Sequence, residues 1–146
     1  MTIVQRKAHF NAAHRLHNPE KTDKWNKATY GKCNHENWHG HNYEVEVMVA
    51  GDADEETGYV IDLVELKQII HNRIVKKCDH KNLNLDVDFL EGMIPSTENL
   101  VKTFFKELEE PVAEASSDSG FLYAVKLKET ERNSAVYCPY LFDRNF

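Results

Sequence analysis

Cysteine is scarce in this sequence, which has three residues of this type and no CxxC pair. An odd number without close pairs argues against a disulfide framework and favours a reducing compartment. No apolar run approaches membrane-spanning length, and the first residues, MTIVQRKAHF, lack the apolar stretch of a signal peptide. We therefore expect a cytoplasmic protein that does not insert into a membrane.

An excess of positive charge is also missing. The formal net charge is −6 and the isoelectric point is near 5.7, which argues against a general nucleic-acid binder. A small anionic ligand would need a local basic cluster or a metal ion. With 146 residues, 41% of them hydrophobic, we expect one domain over residues 1–146, and a domain of this size often gains stability by oligomerising.

Alternation predicts four strands, over residues 2–14, 39–50, 121–130 and 134–141. In the second predicted strand, His39, His41 and Tyr43 share one face. In the third, Tyr123 and Glu129 share a face with the apolar residues Val125 and Leu127. Residues 16–38 are expected to form a long loop, 79–93 an irregular segment and 111–120 a surface loop.

Two helices are predicted between the second and third strands. Asp62 and Glu65 suggest a cap at the start of the first, whose apolar stripe is Leu63, Leu66, Ile70 and Ile74. The second begins near Ser96 and is expected to end at Pro111; its stripe is Leu100, Val101, Phe104, Phe105 and Leu108. The order β-β-α-α-β-β predicts an α+β protein with an antiparallel four-stranded sheet and both helices on one face.

Histidine is plentiful, and the positions of three of the eight indicate a metal site. His39 and His41 occupy positions i and i+2 of one strand, and His14 ends the apolar face of another. Three neutral imidazoles around one ion leave a coordination position open, as in catalytic zinc sites. Nitrogen ligands favour zinc over calcium or magnesium but admit iron or nickel. The plainer alternative is that these are ordinary polar residues at strand ends.

Cys33 lies on the polar loop beside Lys32, which favours a reactive thiolate that could act as a base. Burial as a small apolar residue is the alternative, and we prefer it for Cys78 and Cys138. Asp79 and His80 could form a proton relay in an irregular segment. On the pair alone, a turn aspartate beside a surface histidine is the preferred interpretation.

Glu129 is a carboxylate on an otherwise apolar strand face. Such a group could accept both N–H donors of a pterin or guanine edge; alternatively it turns to solvent or pairs with Lys128. The segment Ser96–Asn99 is expected first to cap a helix, and its free backbone N–H groups could also meet a ligand.

Five ordered motifs resemble those of the 6-pyruvoyl-tetrahydropterin synthases. They are FNAAHRL (10–16), CNHENWHGHNY (33–43), DHKNLN (79–84), STEN (96–99) and KET (128–130). The resemblance runs from about residue 8 to residue 137 and implies the tunnelling fold, or T-fold. It also implies a homohexamer, built as a dimer of trimers, with active sites between subunits.

The resemblance implies that His14, His39 and His41 bind Zn²⁺ and that Cys33 is the catalytic base. Three further assignments follow from it: Asp79 and His80 as the relay, from a neighbouring subunit; Glu129 as the pterin anchor; and Thr97 as its neighbour. The implied reaction is that of a lyase that eliminates triphosphate from 7,8-dihydroneopterin triphosphate. We further hypothesise that Arg15, Lys27 and Lys32 hold the triphosphate.

The product is open between two types within this family. The 6-carboxy-tetrahydropterin synthases of queuosine biosynthesis use the same substrate but also release acetaldehyde. The spacing of Cys33 from His39 resembles the pyruvoyl type, whereas Trp38, where that type commonly has glycine, resembles the carboxy type. A non-catalytic pterin- or purine-binding module would keep Glu129 without needing Cys33, and a structural metal protein would supply a fourth protein ligand.

Overall fold

Two long strands, β1 (Thr2–His14) and β2 (His39–Gly51), form the centre of the fold in a computed structural model that describes residues 1–142. They pair antiparallel in one continuous register, from Thr2 opposite Gly51 to His14 opposite His39. The alternation predicted for both strands is confirmed where they approach the histidines. Phe10, Ala12 and His14 of β1 and Tyr43, Val45, Val47 and Val49 of β2 are buried, whereas His9, Asn11 and Asn42 are exposed.

Within residues 1–142 the sheet has five strands, in the order β3-β1-β2-β4-β5. The other three strands are β3 (Lys81–Asn82), β4 (Phe121–Lys128) and β5 (Ser134–Tyr137). The prediction of four antiparallel strands therefore missed β3, which runs parallel to β1. A strand of two residues has no periodicity to detect. The predicted α+β class is confirmed.

The helices are α1 (Asp23–Tyr30), α2 (Leu63–Ile70), α3 (Lys76–Cys78) and α4 (Thr97–Ala115). A π-helical turn, His71–Val75, joins α2 to α3. Helix α4 lies against β4 and β5, and α2 lies against α4 and β1. Helices α2 and α4 thus cover one face of the sheet. None of the described helices is long and apolar enough to cross a membrane.

Asp62 and Ser96 cap the two predicted helices. The Asp62 carboxylate accepts a hydrogen bond from the Val64 N–H at 2.8 Å, and the Ser96 hydroxyl accepts one from the Asn99 N–H at 3.3 Å. Leu63, predicted to lie on the apolar stripe, is instead exposed, because it occupies the first turn of α2, at the edge of the core.

Three predicted boundaries are wrong. The loop over 16–38 contains α1, whose start is capped by Thr22. Helix α4 continues through Pro111 to Ala115, because Val112 is fully buried and holds that turn on the core. The last strand ends at Tyr137 and a 3₁₀ turn follows.

The predicted inward face of β4 is also partly wrong. A β-bulge shifts the β2–β4 register between Met48 and Val49, so that Leu122 rather than Tyr123 enters the core. Tyr123 instead stacks on Tyr140, with ring centroids 6.2 Å apart. A bulge inserts one residue and reverses the alternation beyond it, which a pattern of period two cannot reveal.

Candidate active site

Three histidines converge where β1 ends and β2 begins. The ring centroids of His14 and His39 lie 4.6 Å apart, and His41 lies 5.1 and 5.0 Å from them. One nitrogen from each ring falls within 4.8 Å of the other two, so the group could hold one metal ion. The convergence follows from the register, because His14 is directly opposite His39 and His41 projects from the same face two residues later.

Burial keeps two of these rings neutral. It lowers the pKa of His14 to about 4, and burial together with the nearby His41 lowers the pKa of His39. The Nδ1 of His14 lies 2.9 Å from the carbonyl oxygen of Pro95, which fits an Nδ1–H that donates to that oxygen. Such a tautomer leaves Nε2 free as a ligand, and neutral imidazole is the form that binds metals.

The donor set fits a metal ion. Among the described residues, His39 Nδ1 and His41 Nε2 are buried without a hydrogen-bond partner. A buried polar atom without a partner costs about 1–3 kcal/mol, and coordination would remove that cost. Three imidazole nitrogens are the protein ligands of one well-known type of catalytic zinc centre.

Glu129 faces this centre from the turn that follows β4. Its Oε1 lies 3.5 Å from His14 Nε2 and 3.6 Å from His41 Nε2, beyond the usual length of a hydrogen bond. The Glu129 N–H donates to the Asn133 carbonyl oxygen at 3.0 Å, which fixes the turn. The carboxylate therefore lies at the edge of the three-histidine cluster.

Tyr43 is a site residue to which the sequence analysis gave no role. It is fully buried, and its hydroxyl lies 3.3 Å from His14 Nδ1. Burial, and then the charge of Glu129, raises the pKa of Tyr43, so the hydroxyl remains protonated. Its shared parity with His39 and His41 was the signal that could have identified it.

A cavity of about 420 Å³ brings together three of the predicted residues, Cys33, Thr97 and Glu129. Cys33 is exposed and lies in the 3₁₀ turn Gly31–Asn34, where its carbonyl oxygen accepts from the Leu16 N–H at 2.8 Å. Thr97 is the first residue of α4. Arg132, which the sequence analysis did not single out, also lines this cavity.

Asp79 and His80 form a pair with each other but lie elsewhere. The Asp79 Oδ2 is 2.9 Å from His80 Nδ1, and Oδ1 accepts from the Asn11 N–H at 2.9 Å. The Asn11 N–H, followed by His80, lowers the pKa of Asp79. His80 lines a separate cavity of about 500 Å³, so one chain does not place the pair in the cavity that contains Cys33.

The three basic residues proposed for the triphosphate share a third cavity. Arg15, Lys27 and Lys32 line a space of about 530 Å³, together with His17 and His35. The Arg15 guanidinium already donates to the Asn34 carbonyl oxygen at 2.8 Å. The two lysines are exposed.

Known proteins resemble this chain over nearly its whole length. Residues 3–139 match the family model described as 6-pyruvoyl tetrahydropterin synthase. The human 6-pyruvoyl tetrahydrobiopterin synthase is 40% identical over 136 residues, which cover 92% of this chain and 89% of the human protein. A solved structure of the Caenorhabditis elegans 6-pyruvoyl tetrahydropterin synthase superposes with a TM-score of 0.83 at 36% identity, covering 94% of both chains.

A shorter similarity involves the other product type. A putative 6-carboxy-5,6,7,8-tetrahydropterin synthase of Archaeoglobus fulgidus is 42% identical over 72 residues, which cover 49% of this chain and 56% of that protein. The broader matches extend over nearly the whole chain. Residues 3–139 include the three-histidine cluster, the two covering helices and all of the sheet except Thr2. The chain therefore belongs to the 6-pyruvoyl tetrahydropterin synthase family.

Proposed function

We propose that this protein converts 7,8-dihydroneopterin triphosphate into 6-pyruvoyl-tetrahydropterin and triphosphate, a step of tetrahydrobiopterin biosynthesis. One observation carries the proposal: a thiol, a helix start and a carboxylate line one cavity, and the carboxylate lies 3.5 Å from the histidine cluster. The names of the relatives, which cover nearly the whole chain, support the same activity.

Glu129 is the proposed anchor for the substrate. Its carboxylate can accept two adjacent N–H donors from the pterin edge, a strong and directional contact. Thr97 would lie beside the ring, at the start of α4. Binding the ring here would direct the substrate side chain towards Cys33 and the histidine cluster.

Cys33 is the proposed base. Its thiolate would take the proton from the side-chain carbon next to the ring, and protonation of the ring would follow, so that the ring is reduced as the side chain is oxidised. Loss of triphosphate then completes an overall isomerisation and elimination. The atoms of substrate and products balance without an external oxidant or reductant.

His14, His39 and His41 would hold a zinc ion. Bound there, zinc would supply Lewis-acid polarisation of the substrate's side-chain oxygens. The chain's own contribution is to keep neutral the two rings with lowered pKa values, His14 and His39, and to exclude water around His14, which is only 1% exposed.

Asp79 and His80 are proposed to act as the proton relay in a neighbouring subunit's site, within a homohexamer. Two observations support this arrangement: the pair is hydrogen-bonded, and the His80 side chain is 78% exposed in the single chain. Arg15, Lys27 and Lys32, which line one cavity, are proposed to attract the triphosphate. We also propose that residues 1–146 act as one domain in the cytoplasm.

The test is product analysis with purified protein and 7,8-dihydroneopterin triphosphate. We expect the wild type to release triphosphate and Cys33→Ala to release none. Chelation should abolish the release by the wild type, and added zinc should restore it. Cys138→Ala is the matched control, because that thiol is buried away from the cavity, and it should retain turnover. Full activity of Cys33→Ala would contradict the assigned base, and tight pterin binding without turnover in the wild type would indicate a binding module.

The 6-carboxy reaction is the second candidate. Trp38 next to His39 and the similarity to the Archaeoglobus protein favour it. This reaction consumes one water and releases acetaldehyde with the triphosphate. Acetaldehyde in equal amount to triphosphate would select this product, and its absence would select the pyruvoyl product.

A further inference from the structure

Trp38 has an unusual backbone conformation immediately before a histidine of the cluster. Its φ is +68°, in the left-handed region that glycine adopts freely and bulky residues avoid. Its N–H donates to the His35 carbonyl oxygen at 3.1 Å. A bulky residue remains in such a conformation only where surrounding contacts hold it.

One of those contacts comes from Arg15, the residue directly after β1. The guanidinium carbon of Arg15 lies 5.7 Å from the centre of the Trp38 ring, within the range of cation–π attraction. The guanidinium also donates to the Asn34 carbonyl oxygen at 2.8 Å. The Arg15 main chain is fixed as well, because its N–H donates to Asn84 Oδ1 and its carbonyl oxygen accepts from Asn84 Nδ2, both at 3.0 Å.

The position of this stacked pair gives it a specific use. Arg15 directly follows His14, and Trp38 directly precedes His39, while those two histidines are opposite each other in the β1–β2 register. The stack therefore closes the two strands one residue beyond the paired ligands. Coordination requires ring positions set to within about half an ångström. A contact between Arg15 and Trp38 therefore affects the spacing of the two ligands directly.

We propose that the Arg15–Trp38 stack is a positioning device that sets the spacing of His14 and His39 for metal binding. The proposal rests on the metal centre of the proposed function. The two ideas fail separately, because a wild-type protein that binds no zinc would reject the centre itself. Equal zinc affinity in the wild type and in variants of Arg15 and Trp38 would reject only the positioning role of the stack.

The test measures zinc affinity, by competition with a chromophoric chelator, and the urea midpoint of the metal-free protein. Trp38→Ala removes the ring and keeps a non-glycine residue at φ +68°, whereas Trp38→Gly removes both ring and backbone strain. We expect both to lose about tenfold in zinc affinity. Trp38→Gly should nevertheless be more resistant to urea than Trp38→Ala, and Trp38→Phe should stay within about threefold of the wild type because it keeps an aromatic face.

The chain offers a matched control in its other tryptophan. Trp25 also lies under a cation, with Lys21 Nζ 5.6 Å from its ring centre, but it belongs to α1 and borders none of the three histidines. Trp25→Ala should leave zinc affinity unchanged. Arg15→Lys keeps the charge and loses the planar group, and we expect a loss of about threefold to tenfold.

Three results would overturn the proposal. The first is wild-type zinc affinity in both Trp38→Ala and Trp38→Gly, with only the urea midpoint altered, which would assign the stack to stability alone. The second is a loss in Trp38→Ala that Trp38→Gly restores, which would place the effect in the backbone. The third applies if Trp38→Ala does not fold: a zinc affinity of Arg15→Lys equal to that of the wild type would then overturn the proposal.

Discussion

His14 should make the metal-free protein sensitive to mild acid. Burial lowers its pKa from 6.5 to about 4 in the folded chain, whereas the unfolded chain binds the proton near 6.5. Between those values the unfolded state therefore holds more protons, so the free energy of unfolding falls as pH falls. This contribution is fully present above pH 6.5 and is lost as pH falls towards 4.

The gap between 6.5 and about 4 corresponds to about 3 kcal/mol. The assay is urea unfolding in the presence of a chelator, at fixed protein concentration, from pH 7 to pH 4.5. His14→Asn is the informative variant, because its amide can still donate to Pro95 but cannot take up a proton. We expect its deficit relative to the wild type to shrink by about 2–3 kcal/mol over this range.

An exposed histidine provides the control. His71→Asn removes one imidazole from the surface of the π-helical turn and shows how far such a change alone alters the acid response. A difference between wild type and His14→Asn that stayed constant within about 1 kcal/mol from pH 7 to pH 4.5 would refute the conclusion that burial holds this ring neutral.

Three further predictions concern separate parts of the chain. Glu129→Gln should lower kcat/KM about 100-fold, because the neutral amide has one acceptor oxygen and turns an NH2 donor towards the second N–H of the pterin edge; steady-state kinetics would show it, and an unchanged value would contradict the anchor. Phe104→Ala should cost about 3–5 kcal/mol in urea unfolding, since the ring is fully buried and packs edge-on against Phe10. Asp62→Ala should cost about 1 kcal/mol through its lost cap, whereas Asp62→Asn should cost little; equal losses in both would contradict the capping role.

The central strands and the histidine cluster were predictable because one periodicity governs both. Alternation in β1 and β2 indicates which side chains share a face, and the three histidines continue the parity of Phe10 and Ala12 in β1 and of Tyr43 and Val45 in β2. Counting along each strand therefore predicted that His39 and His41 share a face and that His14 ends the apolar face of its own strand. The register that places His14 opposite His39 is a finding of the structure. Their roles in catalysis remain predictions.

Other features depend on contacts that no local pattern encodes. Helix α1 is polar and short, so its residues resemble those of a loop, and its Thr22 cap becomes visible only in the folded chain. Pro111 marked the end of a helix by its chemistry, yet burial of Val112 extends α4 past it. The pairing of Asp79 with the Asn11 N–H joins residues far apart in sequence, which one sequence alone cannot show.

The exact facing of His14 and His39 has a consequence for assembly of the sheet. A long connection over residues 15–38 leaves the alignment of β1 and β2 less constrained than a tight hairpin turn would. A slip of one residue would send His14 to the opposite side of the sheet from His39 and His41. An ion bound by all three histidines would thus stabilise only the chain with the native register. Metal present during folding would therefore favour correct pairing of β1 with β2.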